Sequence, residues 1–242
     1  MEPIKKLFIS TLENHKFNAM KYLISFEGYG LQLFWGALTT ISVAVCALLL
    51  GLLMALLGAL GELSHHRSVR WLTLTLTALI RGVPELLVLF GIYFGGSALL
   101  TLVIGEDLQV NAFIAGVFAL ALIFAAYGAQ TLRGSFMAIP GGQKEAAQAL
   151  GLSSRRTFTH ILLPQAWRIA LPGLGNLWLV LLKDSALISL LGLSDLMNKA
   201  QMAASNTHQP FKFYMIAALI FLILTSLSQI SFKKLTHKTI HA

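Results

Sequence analysis

Charge is what this chain has least of. Only 12% of its 242 residues are Asp, Glu, Lys or Arg, against about 25% in an average soluble domain. With 56% hydrophobic residues and a mean hydropathy of +0.74, the composition excludes a water-facing globular domain and a disordered chain. Acidic residues are scarcer than basic ones, 10 against 18, for a net charge of +8. In so apolar a chain that excess orients a membrane protein rather than binding nucleic acid, so no nucleic-acid partner is expected. Cysteine is nearly absent: Cys46 stands alone inside an apolar run, which excludes a disulfide framework and a Cys-based zinc site. His65 and His66 sit side by side in a basic turn, where solvation is the ordinary fate, and no metal site is expected. The phosphate loop G-x-x-x-x-G-K-[ST] is missing too. Gly141-Gly142-Gln143-Lys144 lacks the rest of that pattern, so the chain is expected neither to hydrolyse ATP nor to carry catalytic residues.

What is present is a set of long uncharged runs. No charge occurs between Glu27 and Glu62, Glu85 and Glu106, Asp107 and Arg133, or Lys212 and Lys233. Each can supply the roughly 20 apolar residues a spanning helix needs. A further run near Leu171–Leu193 is interrupted by Lys183 and Asp184. Backbone groups in lipid must satisfy each other locally. The reading is therefore all-α, with five transmembrane helices near 32–60, 71–99, 112–133, 172–194 and 212–233. Alternate connections are basic: Arg67 and Arg70; Arg133, Lys144, Arg155, Arg156 and Arg168; then Lys233, Lys234 and Lys238. The positive-inside rule puts these in the cytoplasm, with the C-terminus inside and the N-terminus outside. Domains follow: a periplasmic or interfacial tail at 1–29, a transmembrane domain at 30–234 and a cytoplasmic tail at 235–242. Lys5, Lys6, Lys16 and Lys21 on the outer tail run against the rule; an interfacial amphipathic helix accommodates them. Leu7–Ile9 is too short for a signal peptide's apolar region, so the first span is expected to serve as an uncleaved anchor.

The cytoplasmic loop between the third and fourth spans reads as a helical hairpin. Gly141-Gly142 is expected to break the third span. Gln143–Leu150 is rich in helix formers, and Gly151 suits the position after a helix end. Ser153 or Ser154 can cap a second helix bearing Arg155 and Arg156, which Pro164 is expected to interrupt. On these grounds alone an ordinary amphipathic loop is as good a description.

The spacing distinguishes the two. Glu145-Ala146-Ala147, three residues, Gly151, nine residues, then Ile161-x-Leu163-Pro164 resembles the signature of the membrane subunits of bacterial ABC importers. Arg81-Gly82-Val83-Pro84-Glu85, Leu171-Pro172-Gly173-Leu174-Gly175-Asn176 and Leu182-Lys183-Asp184-Ser185 look like the polar amino acid permease family. Within it the chain most resembles the Q-type subunits of arginine transporters, with histidine and lysine/arginine/ornithine permeases next. The resemblance covers about Gly30 to Lys234. It implies a permease of the inner membrane that works by alternating access for polar, basic amino acids, arginine favoured. It implies two ABC ATPase subunits as partners, which hold the ATP and magnesium. A second permease subunit, as a homodimer or an M-type heterodimer, and a periplasmic amino acid-binding protein complete the assembly. Glu145, Ala146, Ala147, Gly151, Arg155, Arg156, Ile161, Leu163 and Pro164 are then the segment that couples to the ATPase.

Four ionisable residues fall within spans: Arg81, Glu85, Lys183 and Asp184. Each costs about 2.5–3.5 kcal/mol at mid-bilayer unless paired or solvated. Arg81 and Glu85, at i and i+4, are expected to pair on one helix face. Adjacent Lys183 and Asp184 point in different directions. Glu85, Asp184 and Ser185 are the candidate substrate-pathway residues. An acid after Arg-Gly-x-Pro resembles the basic amino acid branch, and a carboxylate suits a guanidinium. Gln130-Thr131 departs from relatives that carry an acid just before Arg-Gly, which weakens a substrate role for the end of the third span. The alternative of a different class is an ion- or proton-coupled secondary transporter, with the four charges as its relay.

Overall fold

The computed structural model describes residues 28–105 and 109–240. The tail at 1–27 with its four lysines, the acids Glu106 and Asp107, and His241 lie outside the described residues. Among those described, every regular element is a helix, and five helices are long and apolar enough to cross a membrane. We number them in chain order: α1 Gly30–Glu62, α2 Arg67–Gly82, α3 Glu85–Ile104, α4 Ala112–Met137, α5 Gly141–Ala149, α6 Ser154–Leu191, α7 Leu196–Thr207 and α8 Pro210–Ile240.

The most extensive packing is between α1 and α4. Lipid tails give apolar side chains no reason to leave them, so helices in a bilayer associate through small residues that let backbones approach. The α1 stripe Ala44, Ala47, Gly51, Ala55 and Ala59 is buried, as are Ala115, Ala119 and Ala126 of α4. A Cβ on Gly51 would lie 2.9 Å from the Phe124 ring; only glycine leaves that ring its place. A second, smaller core at the other end joins Leu33 and Ala37 of α1 to Leu196, Ala200 and Ala203 of α7 and Phe213 of α8.

The second span differs from the one expected. Val83 is extended and Pro84 stands as the N-cap of α3, because a residue before proline is driven out of the helical region. The run read as one span at 71–99 is therefore two helices. α2 is basic and amphipathic, with Arg67, Arg70, Trp71, Leu72 and Leu76 exposed. The span proper is Glu85–Ile104. In the last two turns of α2, Thr77 meets Glu62 at the end of α1, and Arg81 meets Gln130 in the last third of α4. α2 thus crosses the ends of two spans.

Other ends also differ. α4 runs on to Met137, and Gly141-Gly142 do not break it; they open α5 behind Pro140 as N-cap. Pro164 does not interrupt the following helix. A π turn at Phe158–Leu162 comes just before it, with the Leu163 N–H donating to the Phe158 carbonyl, and this widened turn accommodates Pro164, which has no N–H to donate. α6 closes in a 3-10 segment, Ser185–Leu191, ended by Gly192 at φ 81°. α7 has no counterpart in the expected spans. The last helix continues through Ile240, into the stretch read as a tail.

Candidate functional site

The hairpin forms at the same end of the molecule as α2. α5 stops in a Schellman motif. Gly151 adopts φ 73°, its N–H donates to the Gln148 carbonyl at 2.9 Å, and the Leu152 N–H donates to the Ala147 carbonyl at 3.0 Å. Ser153 then caps the next helix by accepting from the Arg156 N–H at 3.5 Å. Ala147 is buried, while Glu145, Ala146, Arg155 and Arg156 are exposed. Ile161 and Leu163 are half-buried, and Pro164 is exposed. Phe158 stacks on Phe136 of α4 at 5.6 Å. The arrangement is a short rigid helix, closed at its C-terminal end by a motif that requires positive φ. Its outward face has one acid, small side chains and two guanidinium groups beside it.

The spans bring two of the three candidate pathway residues together. Glu85 of α3 and Asp184 of α6 line one pocket with Leu120, Ile123, Phe124, Tyr127 and Leu181. Its volume is about 20 Å³, room for about one water. Ser185 is buried and spends its hydroxyl on the Leu182 carbonyl at 2.7 Å. The expected Arg81–Glu85 pair does not form, because the Val83–Pro84 break places the two residues in different helices. Arg81 instead donates through Nη1 to the Gln130 side chain and through Nε to the Thr77 carbonyl at 3.2 Å. Lys183 is exposed next to Asp184.

Sequence patterning does not single out Glu62. At the end of α1 it is 3% exposed. Its Oε1 accepts from the Thr77 hydroxyl at 2.8 Å, and its Oε2 lies 3.7 Å from Arg133 Nη1. The one legible signal is a carboxylate at the end of an uncharged run in an otherwise basic turn.

Residues 47–240 match the model of the binding-protein-dependent transport system inner membrane component family. The chain belongs to this family. It is 52% identical over 203 residues to the arginine ABC transporter permease protein ArtQ of Haemophilus influenzae, covering 84% of this chain and 91% of that one. It is 40% identical over 210 residues to the histidine/lysine/arginine/ornithine permease HisQ of Salmonella typhimurium, covering 85% and 91%. Among solved structures, an amino acid ABC transporter with histidines matches at a TM-score of 0.78 with 32% identity, covering 89% of this chain and 97% of that one. A chain of the MetNI methionine ABC transporter in an inward-facing conformation matches at 0.72 with 16% identity, covering 88% of this chain and 98% of that one; that likeness shows the fold. This permease is an integral membrane component of an ABC transporter. Family membership leaves the secondary-transporter alternative without support, and the separation of Arg81 from Glu85 removes one link of its relay.

Proposed function

We propose that this permease imports a basic amino acid, with arginine the favoured substrate, across a bacterial inner membrane. The observation that carries the reading is the hairpin. A rigid, exposed helix between two spans, closed at Gly151, has the form of a helix that seats in a groove of a partner. The partner is the ABC ATPase, two copies of which hold ATP and magnesium and close together. Glu145, Ala146, Arg155 and Arg156 face the ATPase; Ala147, Ile161 and Leu163 anchor the hairpin to the spans, and Pro164 follows the π turn that joins the hairpin to the rest of α6. The basic segments face the cytoplasm and α7 faces the periplasm, where a binding protein delivers substrate.

ATP-driven approach of the two hairpins shifts the spans between inward- and outward-open states. Glu85 and Asp184 supply negative potential to the pathway, and a carboxylate accepts the forked donors of a guanidinium. The pocket between them holds about a water's volume, so one chain in this conformation does not enclose an amino acid. The remaining wall comes from a second permease subunit, identical or of the M type, and from the rearrangement itself. The 52% identity to ArtQ supports arginine over neutral amino acids.

The test is reconstitution with the ATPase and binding protein, measuring uptake of arginine, lysine, histidine and glutamine. Arginine uptake should depend on ATP and exceed glutamine uptake. For Glu85→Gln, loss of one charge-assisted hydrogen bond should weaken arginine uptake by roughly tenfold or more and leave glutamine uptake nearly unchanged. Unaltered arginine affinity and selectivity would remove Glu85 from the site.

A further inference from the structure

We infer that Glu62, Thr77 and Arg133, with Arg81 and Gln130 beside them, form a polar latch that transmits hairpin movement to the pathway acids. The inference rests on the proposed coupling function of the hairpin and extends it to residues outside the hairpin.

Three helices meet in this group. Glu62 ends α1, Thr77 and Arg81 stand one turn apart on α2, and Gln130 and Arg133 stand one turn apart on α4. The first rung is Thr77 Oγ1 to Glu62 Oε1 at 2.8 Å, with Arg133 Nη1 3.7 Å from Glu62 Oε2. The second rung is Arg81 to Gln130. Arg81 Nε also donates to the Thr77 carbonyl at 3.2 Å, which ties the rungs into one network. Glu62 is buried, and Thr77 and Arg133 are the partners its carboxylate has there. Arg133 Nε is buried with no hydrogen-bond partner, and the guanidinium is held to Glu62 by one edge only. A 3.7 Å contact with spare donors is an interaction that can lengthen or tighten as α4 moves.

Position gives the network its role. Arg133 lies one turn before α4 ends at Met137, Ala138–Pro140 join α4 to α5, and Phe136 stacks on Phe158 of the hairpin at 5.6 Å, so a displacement of the hairpin reaches Arg133 through that three-residue link and that ring contact. Arg81 lies just before the Val83–Pro84 break, and Glu85 is the first residue beyond that break. The break lets α3 pivot relative to α2 without breaking helical hydrogen bonds. Pulling on α4 through Arg133 and Gln130 therefore moves the end of α2, and with it the carboxylate that shares a pocket with Asp184. These are positioning residues: none has to touch the substrate.

The experiment is the ratio of arginine transported to ATP hydrolysed by the complete reconstituted importer, because a merely destabilised complex loses both rates together. Glu62→Gln keeps the shape and the Thr77 hydrogen bond but removes the charge facing Arg133. It should lower the ratio by roughly tenfold while the ATPase still co-purifies at the wild-type level. Arg133→Gln should do the same, Arg133→Lys should restore most of the ratio, and the Glu62→Gln/Arg133→Gln pair should be no worse than either single change. Gln130→Ala removes the second rung at an exposed residue and tests the network if a buried change fails to assemble; it should lower the ratio by a few-fold. An unchanged ratio in Gln130→Ala and Glu62→Gln, or additive losses in the pair, overturns the latch. If the wild-type complex neither binds the ATPase nor couples arginine uptake to ATP, the proposed function fails instead, so the two failures are distinct.

Discussion

At the scale of single residues, Asp195 shows how burial turns a helix cap into a pH-dependent element. Its Oδ1 accepts from the Asn198 N–H at 2.9 Å and so starts α7, while Oδ2 has no partner and the residue is 1% exposed. Burial pushes its carboxyl up from 3.8 to about 6, against the hydrogen bonds from Asn198 and Met197 that pull it down. The unfolded chain ionises this group near 3.8 and the folded chain only near 6, so the unfolded state gains between those two values. Stability from this group is full below the lower value, falls as pH rises to the upper one, and stays low above it. The difference amounts to about 3 kcal/mol. Asp195→Asn keeps the capping acceptor and removes the charge, so it should raise the melting temperature at pH 7 by several degrees and flatten the dependence between roughly pH 4 and 6. Asp195→Ala loses the cap at a cost of about 1 kcal/mol and should gain less. Thermal unfolding in detergent across pH measures both; equal melting curves for the wild-type and Asp195→Asn proteins at pH 7 would contradict the burial argument.

At the scale of elements, the coupling role proposed for α5 depends on where that helix stops. Gly151 has φ 73°, and a Cβ there would meet nothing within 4 Å, so backbone conformation alone decides a substitution. Gly151→Ala should cost about 1–2 kcal/mol of left-handed strain or prolong α5 past its end, either of which misaims Glu145 and Ala146. ATPase recovered with the tagged permease should fall several-fold for Gly151→Ala and less for Gly151→Asn, since asparagine tolerates that conformation. Equal recovery for both would show that the position of the helix end is immaterial. This hairpin is legible in the sequence because its signals are local: a run of helix formers, a glycine, a serine cap. The five spans are legible because uncharged runs of that length have few other uses. The α2–α3 break is legible only in part: Pro84 marks it, since its missing N–H frees a carbonyl near Ile80, but that the run becomes two helices and the span proper starts at Glu85 is not legible. Nor is α7, whose Ala, Asn and Gln residues carry no apolar run; only Asp195 and the positive φ of His208 bound it. The Glu62–Arg133 contact joins residues on separate spans, and no local pattern announces a pairing at that distance.

At the scale of the whole molecule, the few charges sort by end. Glu62, α2 and the hairpin gather where α1 and α4 finish, while α7 packs on the start of α1, with Leu196 N–H donating to Thr40 Oγ1 at 3.1 Å and Asn206 donating to the Tyr29 hydroxyl at 3.0 Å. Arg67, Arg70, Lys144, Arg155 and Arg156 belong to the first end, and their side chains are exposed there. Basic side chains resist translocation and interact with an anionic inner leaflet, which is the ground for proposing that this end faces the cytoplasm and α7 the periplasm. The single native cysteine, Cys46, can be replaced by serine, because it sits exposed on α1 outside either core. In that background Ser205→Cys on α7 should react with a membrane-impermeant maleimide in intact cells with a permeabilised outer membrane. Ser154→Cys at the start of α6 should react only after the inner membrane is opened. Both serines are exposed, so a failure to label reports the barrier and not burial. The reverse pattern would invert the chain and place the hairpin on the side that has no ATP, which the coupling role does not survive.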